Sequence, residues 1–281
     1  MLRINLSAVG LACVGLVLTW YILPPSHDRV WRDDYAVLPN VAPSADGIEL
    51  TGVRDWSYDD DGMPTDMSWR TVTLDPGGVA RVWFVVEPFG AWDAVAHTML
   101  AFEFADGRAY VASVEARREV GETYRAAQGA VWPSYEYLVV WTTERDMYAN
   151  TVLAAGDRLH LYPLSLPDGM AEGVLRAMLS LTAGVADRPR WYNTVTANCT
   201  SELARAMNAE RPGTVPLDLA WVLPGYAAGF LYDEGWMPGA RDFAEIEAAS
   251  DATDAVREVY RDTPAERFSQ ALRRAWGGAG A

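Results

Sequence analysis

The sequence contains no lysine, because all 23 of its basic residues are arginine. This absence excludes a lysine Schiff base and the lysine of a phosphate-binding loop. Against 38 acidic residues the formal net charge is −15. A basic surface for nucleic acid is therefore excluded, and no nucleic-acid partner is expected.

Histidine and cysteine are also scarce. The three histidines lie far apart in the sequence, as do the two cysteines, which are Cys13 and Cys199. Neither a cysteine-rich zinc site nor a His-Glu-x-x-His helix can be built from them, so we predict no metal and no cofactor. A disulfide is not expected either, because Cys13 lies in a segment of membrane type.

That segment is an uncharged run of 18 residues, from Leu6 to Leu23. Its length is about that of a bilayer span, and it ends on bulky residues instead of a small-residue cleavage site. We therefore predict an uncleaved single-pass anchor over residues 1–24 in the inner membrane. A semi-extended linker is predicted over residues 25–46, followed by a periplasmic domain over residues 47–276.

The remaining chain, with 50% hydrophobic residues overall, is apolar enough for a packed core. Short β-rich runs and turn residues predict strands from about residue 47 to residue 162, and Asp106-Gly107 predicts a tight hairpin between two of them. Helical spacing predicts helices over residues 170–184 and from Cys199 to about Met207. The expected fold class is α+β. The apolar stretch 214–231 is either a buried core segment or a hydrophobic wall that receives a lipid chain.

Cys199 is the one cysteine outside the predicted anchor, at the point where a loop passes into a helix. Unpaired backbone N–H groups and the helix dipole favour a thiolate there. The alternative is that Cys199 is a small core residue. If it is a nucleophile, its pKa is expected to fall below the ordinary value of about 8.5.

His97 lies on a predicted strand among apolar and small residues, and it is either a core histidine or a general base. Across the Asp106-Gly107 turn, Glu115 is expected on the same face of the partner strand, where it accepts the second N–H of the ring. Together with Cys199 these residues form a Cys, His and carboxylate set. In that set the thiolate attacks an acyl carbon and His97 moves the proton.

Neighbouring polar residues are candidates for supporting roles. The backbone N–H of Cys199 and the side chain of Asn198 are candidate oxyanion donors, with a helix cap as the alternative for Asn198. Tyr192, Asn193 and Thr200 are expected to shape the loop. Ser113 and Arg117 are candidates for substrate contact. Further along, Glu144-Arg145-Asp146 is expected to form a turn that is held by its own ion pairs.

Six motifs follow one another along the chain, namely His97–Arg108, Ser113–Tyr124, Tyr135-Glu136, Glu144–Asp146, Leu161–Pro163 and above all Trp191–Thr200. These motifs and their order resemble the Lnb N-terminal periplasmic domain family, and the resemblance extends from about Gly47 to Glu245.

The resemblance implies a papain-like fold related to circularly permuted NlpC-type enzymes, with the histidine strand before the cysteine helix. It also implies lipoprotein N-acylation, in which an acyl chain moves from phospholipid to the amine of a lipoprotein. Cys199 then corresponds to the nucleophile, His97 to the base and Glu115 to the orienting group.

We therefore predict a membrane-anchored thiol acyltransferase or acyl hydrolase, with the membrane and a phospholipid or lipoprotein substrate as partners. The alternatives are a cysteine peptidase or amidase acting on cell-wall peptide, and a noncatalytic envelope binding module. The sequence does not set an oligomeric state.

Overall fold

The computed structural model describes residue 15 and residues 24–90, 92, 94–239 and 241–277. Within these residues, runs of β-branched and aromatic side chains form one sheet of eight strands. The strands are β1 (Asn40–Ser44), β2 (Gly47–Tyr58), β3 (Pro64–Leu74), β4 (Val79–Pro88), β5 (Ala96–Phe104), β6 (Ala109–Arg117), β7 (Glu136–Thr143) and β8 (His160–Pro163).

The sheet has the strand order β1-β2-β7-β6-β5-β4-β8, and β3 pairs with β2 outside this path. The β2–β7 pair is parallel, and the other strand pairs of the sheet are antiparallel. The hairpin predicted at Asp106-Gly107 joins β5 to β6 through a three-residue loop over residues 105–107, in which Gly107 takes a positive φ of 84° at the third position.

Helices cover both faces of this sheet. They are α1 (Ala126–Val131), α2 (Glu144–Ala149), α3 (Met170–Asp187), α4 (Cys199–Glu210), α5 (Ala227–Asp233), α6 (Phe243–Ser250), α7 (Thr253–Asp262) and α8 (Phe268–Trp276). A π-helix over Asn150–Ala155 continues α2, and short 3-10 turns occupy Asp33–Tyr35, Pro76–Gly78, Leu219–Trp221, Pro224–Tyr226 and Ala265–Arg267.

The alternation of apolar side chains along the strands divides the core between the two faces. One face packs against α3, α4 and α5, and its largest cluster includes Phe102 and Trp141. The other face packs against α2, α7 and α8, where Trp83 and Phe268 are buried. The predicted α+β class is confirmed, with an open mixed sheet between two layers of helices.

Residues 25–46, which were predicted as a linker, pack against the domain in the structure. Trp31 and Tyr35 are buried, and Trp31 forms a β-bridge with Glu119. Residues 40–44 form β1 and pair with β2. Aromatic side chains between the prolines supply enough apolar surface to hold this stretch against the domain.

Apart from residue 15 and Pro24, the predicted anchor over residues 1–24 lies outside the described residues. Among the residues that the structure does describe, no helix is both long and apolar enough to cross a bilayer.

Candidate active site

Three elements converge at one end of the sheet, which we call the site end. The second residue of β5 is His97, and β6 passes Glu115 just before it ends at Arg117. The antiparallel register pairs Met99 with Ser113. His97 is two residues before Met99 on β5 and Glu115 is two residues after Ser113 on β6, so these two residues lie opposite each other. Helix α4 begins at Cys199 and packs against β5 at this same end.

His97, Ser113 and Glu115 form a closed hydrogen-bonding group. The Nε2 atom of His97 lies 2.6 Å from the Ser113 hydroxyl and 2.9 Å from Oε1 of Glu115. The Ser113 hydroxyl in turn lies 2.6 Å from the same carboxylate oxygen. With Nε2 engaged in this way, Nδ1 is the ring nitrogen that remains for another partner.

The thiol of Cys199 lies close enough to the His97 ring for the imidazolium to lower the pKa of the thiol. Asn198 sets the start of the helix through a capping box, in which its side chain accepts from the Ser201 N–H at 2.8 Å. The hydroxyl of Thr200 lies 3.9 Å from the sulfur, and Thr98 also lowers the pKa of the thiol. Cys199 is therefore held at the first turn of a capped helix, facing a histidine from the sheet.

The charges of these groups reinforce one another. Burial alone raises the pKa of the Cys199 thiol, but the imidazolium of His97 and the Thr98 donors outweigh it and lower that pKa to about 7. Burial alone lowers the pKa of His97, but the Glu115 carboxylate and the Cys199 thiolate raise it well above its ordinary value. The same contact with His97 overcomes burial at Glu115 and lowers its pKa to about 2. The arrangement favours a thiolate–imidazolium pair near neutral pH.

We expect the alkylation rate of Cys199 by iodoacetamide to rise with a midpoint near pH 7. Replacing Glu115→Gln should shift this midpoint upward, towards the free-thiol value of about 8.5, because the imidazolium that stabilises the thiolate loses its own counter-ion. The rate is measured on the Cys199 peptide by mass spectrometry, so that Cys13 does not contribute.

Glu119→Gln is the matched control for this titration. Glu119 is a partly buried carboxylate just beyond the end of β6, and it pairs with Arg29 instead of His97. Its replacement should leave the midpoint unchanged. A midpoint above about 8.5 in the unmodified protein would identify an inert core cysteine.

The residues predicted to support the loop lie around Cys199. Both amide hydrogens of Asn198 are donated inside the protein, to the carbonyls of Thr194 and Trp221, so its side chain caps the helix and has no donor left for an oxyanion. The Asn193 side chain bonds to the backbone of its own loop and to Ala130. The backbone N–H of Cys199 remains a candidate donor to an oxyanion, since the first N–H groups of a helix lack intrahelical partners.

Thr200 and Tyr192 also hold the loop in position. The hydroxyl of Thr200 lies 2.9 Å from that of Thr98, which ties α4 to β5. Tyr192 is buried, and its ring packs against Tyr124 and Tyr137. Its backbone N–H donates to the carbonyl of Tyr135.

The two residues predicted to contact substrate, Ser113 and Arg117, contact other parts of the protein instead. Ser113 is fully buried and bridges His97 and Glu115. Arg117 is buried with its guanidinium over the ring of Trp31, and it donates to the backbone carbonyls of Tyr35 and Ala36. Neither side chain is open to a substrate. Ser113 has no exposed surface, and Arg117 is covered by the N-terminal stretch that was expected to be a linker.

Sequence reasoning missed three neighbours of the pair. Thr98 follows His97 directly and lowers the pKa of the Cys199 thiol. Tyr124 hydrogen-bonds to Thr194, packs against the ring of Tyr192 and lies within the electrostatic reach of Cys199. Glu87 lies opposite His97 on β4, where burial raises its pKa to about 7. A lone acidic residue near the end of the apolar run of β4 was the available signal for Glu87.

The other two histidines are not part of this site. His160 is buried, and its Nδ1 atom lies 2.8 Å from the Ser250 hydroxyl. His27 contacts the carbonyl of Val185.

Comparison with known proteins gives one family. The model of the Lnb N-terminal periplasmic domain matches residues 65–224, which include β5, β6 and the start of α4. No curated protein and no solved structure was found to match.

Proposed function

This chain belongs to the Lnb N-terminal periplasmic domain family, and we propose that it is a thiol-dependent acyltransferase or acyl hydrolase acting on phospholipid or lipoprotein in the periplasm. The observation that carries the proposal is that Cys199, at the start of a capped helix, and His97, whose ring lies 2.9 Å from the Glu115 carboxylate, are close enough for each to shift the pKa of the other. A nucleophile beside a base that a third group orients is the arrangement of covalent acyl-transfer enzymes.

Each residue of the set has a role in this reaction. The Cys199 thiolate attacks the carbonyl carbon of an acyl ester and forms a tetrahedral oxyanion, towards which the Cys199 N–H is directed. As the ester C–O bond breaks, the imidazolium of His97 gives its proton to the departing alkoxide. The acyl group is then held as a thioester.

The second half of the reaction reverses these roles. Neutral His97 takes a proton from an attacking amine or water, the new C–N or C–O bond forms, and the C–S bond breaks to restore the thiolate. Glu115 keeps the ring oriented and stabilises its positive charge, while Ser113 links the carboxylate to the ring. An amine acceptor gives N-acylation, whereas water gives hydrolysis.

The fold proposed for this chemistry is papain-like, of the circularly permuted NlpC type. Its supporting features are the helix that starts at Cys199, the histidine on an adjacent strand and the chain order, in which His97 precedes Cys199. The lipid substrate is supported by the family and by the uncharged run from Leu6 to Leu23, which we propose as a single-pass anchor.

Detection of an acyl-thioester on Cys199 tests the function. The full chain is incubated with phospholipid vesicles that contain an alkyne-labelled acyl chain, and the Cys199 peptide is then examined by mass spectrometry. We expect a mass increase equal to the acyl group that hydroxylamine removes, and no such increase in the Cys199→Ala variant.

Glu119→Gln is again the control, because it removes a nearby carboxylate without touching the pair. A peptidyl adduct formed on cell-wall peptide would replace the lipid proposal with a cysteine peptidase or amidase. If neither adduct forms while the thiol is reactive, the domain is a noncatalytic envelope binding module.

A further inference from the structure

Exposed apolar side chains from separate segments lie around the candidate active site. Trp92, Leu217 and Leu219 are 77%, 88% and 75% exposed. We define the apolar rim by six side chains, namely Trp92, Val195, Leu217, Leu219, Leu223 and Tyr226. Exposed apolar groups gathered in one region mark an interaction surface, unlike singly scattered ones.

Hydrogen bonds connect the segments of the rim to the catalytic elements. The loop that carries Trp92 leads directly into β5, and the carbonyl of Ala94 accepts from the Gly225 N–H at 3.1 Å. The carbonyl of Trp221 accepts from Asn198, the residue before Cys199, at 2.9 Å. The rim therefore borders the Cys199–His97 pair on the side of residues 217–226.

The residues that follow the N-terminal apolar run contact the domain at the site end of the sheet. The backbone N–H of Ser26 donates to Oε1 of Glu136, and Arg29 forms an ion pair with the same carboxylate at 2.7 Å. Glu136 begins β7 and pairs with Arg117, two residues beyond Glu115 on β6. The uncharged segment from Leu6 to Leu23 thus ends only a few residues before a point on the sheet that lies beside the catalytic strands.

We propose that the apolar rim is a docking surface for a phospholipid bilayer and that it seats the active site on the membrane–water interface. This inference rests on the proposed function, and it adds that the lipid substrate is taken from an intact bilayer. Trp and Tyr side chains are typical of that interface, and the leucines between them supply the inserted apolar area.

The charge of the chain selects the kind of lipid surface. With a net charge of −15 the protein is repelled by anionic headgroups, so the apolar side chains have to supply the attraction. The proposed surface is therefore a bilayer of neutral or zwitterionic headgroups.

Spin-label depth measurement tests the docking in the full chain. The Cys13→Ser/Cys199→Ser protein receives a single label through Leu217→Cys or Trp92→Cys and is reconstituted in phosphatidylcholine vesicles. We expect both labels to be accessible to oxygen and shielded from a water-soluble nickel reagent, as a label in the bilayer is. Because Cys199 is replaced, the measurement needs no turnover, so its failure would leave the thioester experiment intact.

Met63 provides the matched control. It is 62% exposed in the turn between β2 and β3, and β2 runs parallel to β7, so this turn lies at the opposite end of the sheet. A label at Met63→Cys should be open to the nickel reagent. Leu217→Glu/Leu219→Glu should return the label at position 92 to water, whereas Met63→Glu should leave it in the bilayer.

Two results would overturn the proposal. Labels at positions 217 and 92 that react with the nickel reagent as freely as the label at position 63 would mean that the rim faces water. Labels shielded from both oxygen and nickel would mean that a protein surface, such as an acceptor or a second copy of the chain, covers the rim.

Discussion

Replacing Cys199→Ala is expected to lower the rate of acyl transfer from labelled phospholipid by about four orders of magnitude or more. Catalytic groups that act as a unit lose nearly the whole rate enhancement when the nucleophile is removed. A methyl group cannot form the thioester, and Cys199 is the only cysteine in the part of the chain that the structure describes. The rate is measured as release of labelled acyl groups from vesicles by the full chain.

The loss must be separated from a loss of folding. Cys199 is buried in the core between α4 and the sheet, so its truncation should destabilise the domain by on the order of 1 kcal/mol. Ser201→Ala removes one half of the capping box next to Cys199 and should cost about the same amount of stability. Because Ser201→Ala keeps the sulfur, it should retain most of the activity.

A double variant checks that Cys199 and His97 act together. His97→Ala should also remove most of the rate, and the Cys199→Ala/His97→Ala protein should be no slower than Cys199→Ala alone. Independent effects that multiply would show that His97 works outside the Cys199 reaction. Activity above about a tenth of the original in Cys199→Ala would assign the chemistry to another group.

The geometry around His97 was predictable because it depends on local rules. A Gly in the turn predicts a tight hairpin, and the structure closes it with a three-residue loop over residues 105–107. This register puts Glu115 opposite His97, at 2.9 Å from its ring, whereas a two-residue loop over Asp106-Gly107 would have put Ala116 there. The helix starting at Cys199 was likewise predictable from its Asn cap.

Contacts between distant parts of the chain were not predictable in this way. Arg117 shares the face of Glu115, yet whether it meets solvent or protein depends on Trp31, about 85 positions earlier in the chain. Similarly, the proline-containing stretch before β2 has the composition of a linker, and only its pairing with the sheet holds it in place. Periodicity gives the face of a side chain but not what covers that face.

The motif Glu144-Arg145-Asp146 illustrates the same limit, because it does not form the locally paired turn that was expected. Asp146 is fully buried and receives two hydrogen bonds from the Arg54 guanidinium, at 2.8 and 3.1 Å. It also accepts from the Trp56 N–H and the Tyr58 hydroxyl. Glu144 pairs with Arg273 of the last helix.

Asp146→Asn is therefore expected to destabilise the domain by about 3–5 kcal/mol, because it leaves the buried Arg54 charge without a counter-ion. The change keeps the size of the side chain, so the effect reports on charge. For a domain of this size the melting temperature should fall by roughly 6–20 °C. Differential scanning calorimetry of the full chain in detergent provides the measurement.

Asp106→Asn is the matched control for the buried pair. Asp106 pairs with Arg108 at 2.7 Å, close to the 2.8 Å of the Arg54–Asp146 pair, but both side chains are about half exposed. Its replacement should cost about 0–1 kcal/mol, because water already screens the interaction. The double variant Arg54→Met/Asp146→Leu should recover part of the lost stability, since it removes the unpaired charge instead of leaving it buried, while the Trp56 N–H and the Tyr58 hydroxyl lose their acceptor. Equal melting temperatures for Asp146→Asn and Asp106→Asn would contradict the assignment of Asp146 as the counter-ion that holds β2 against α2.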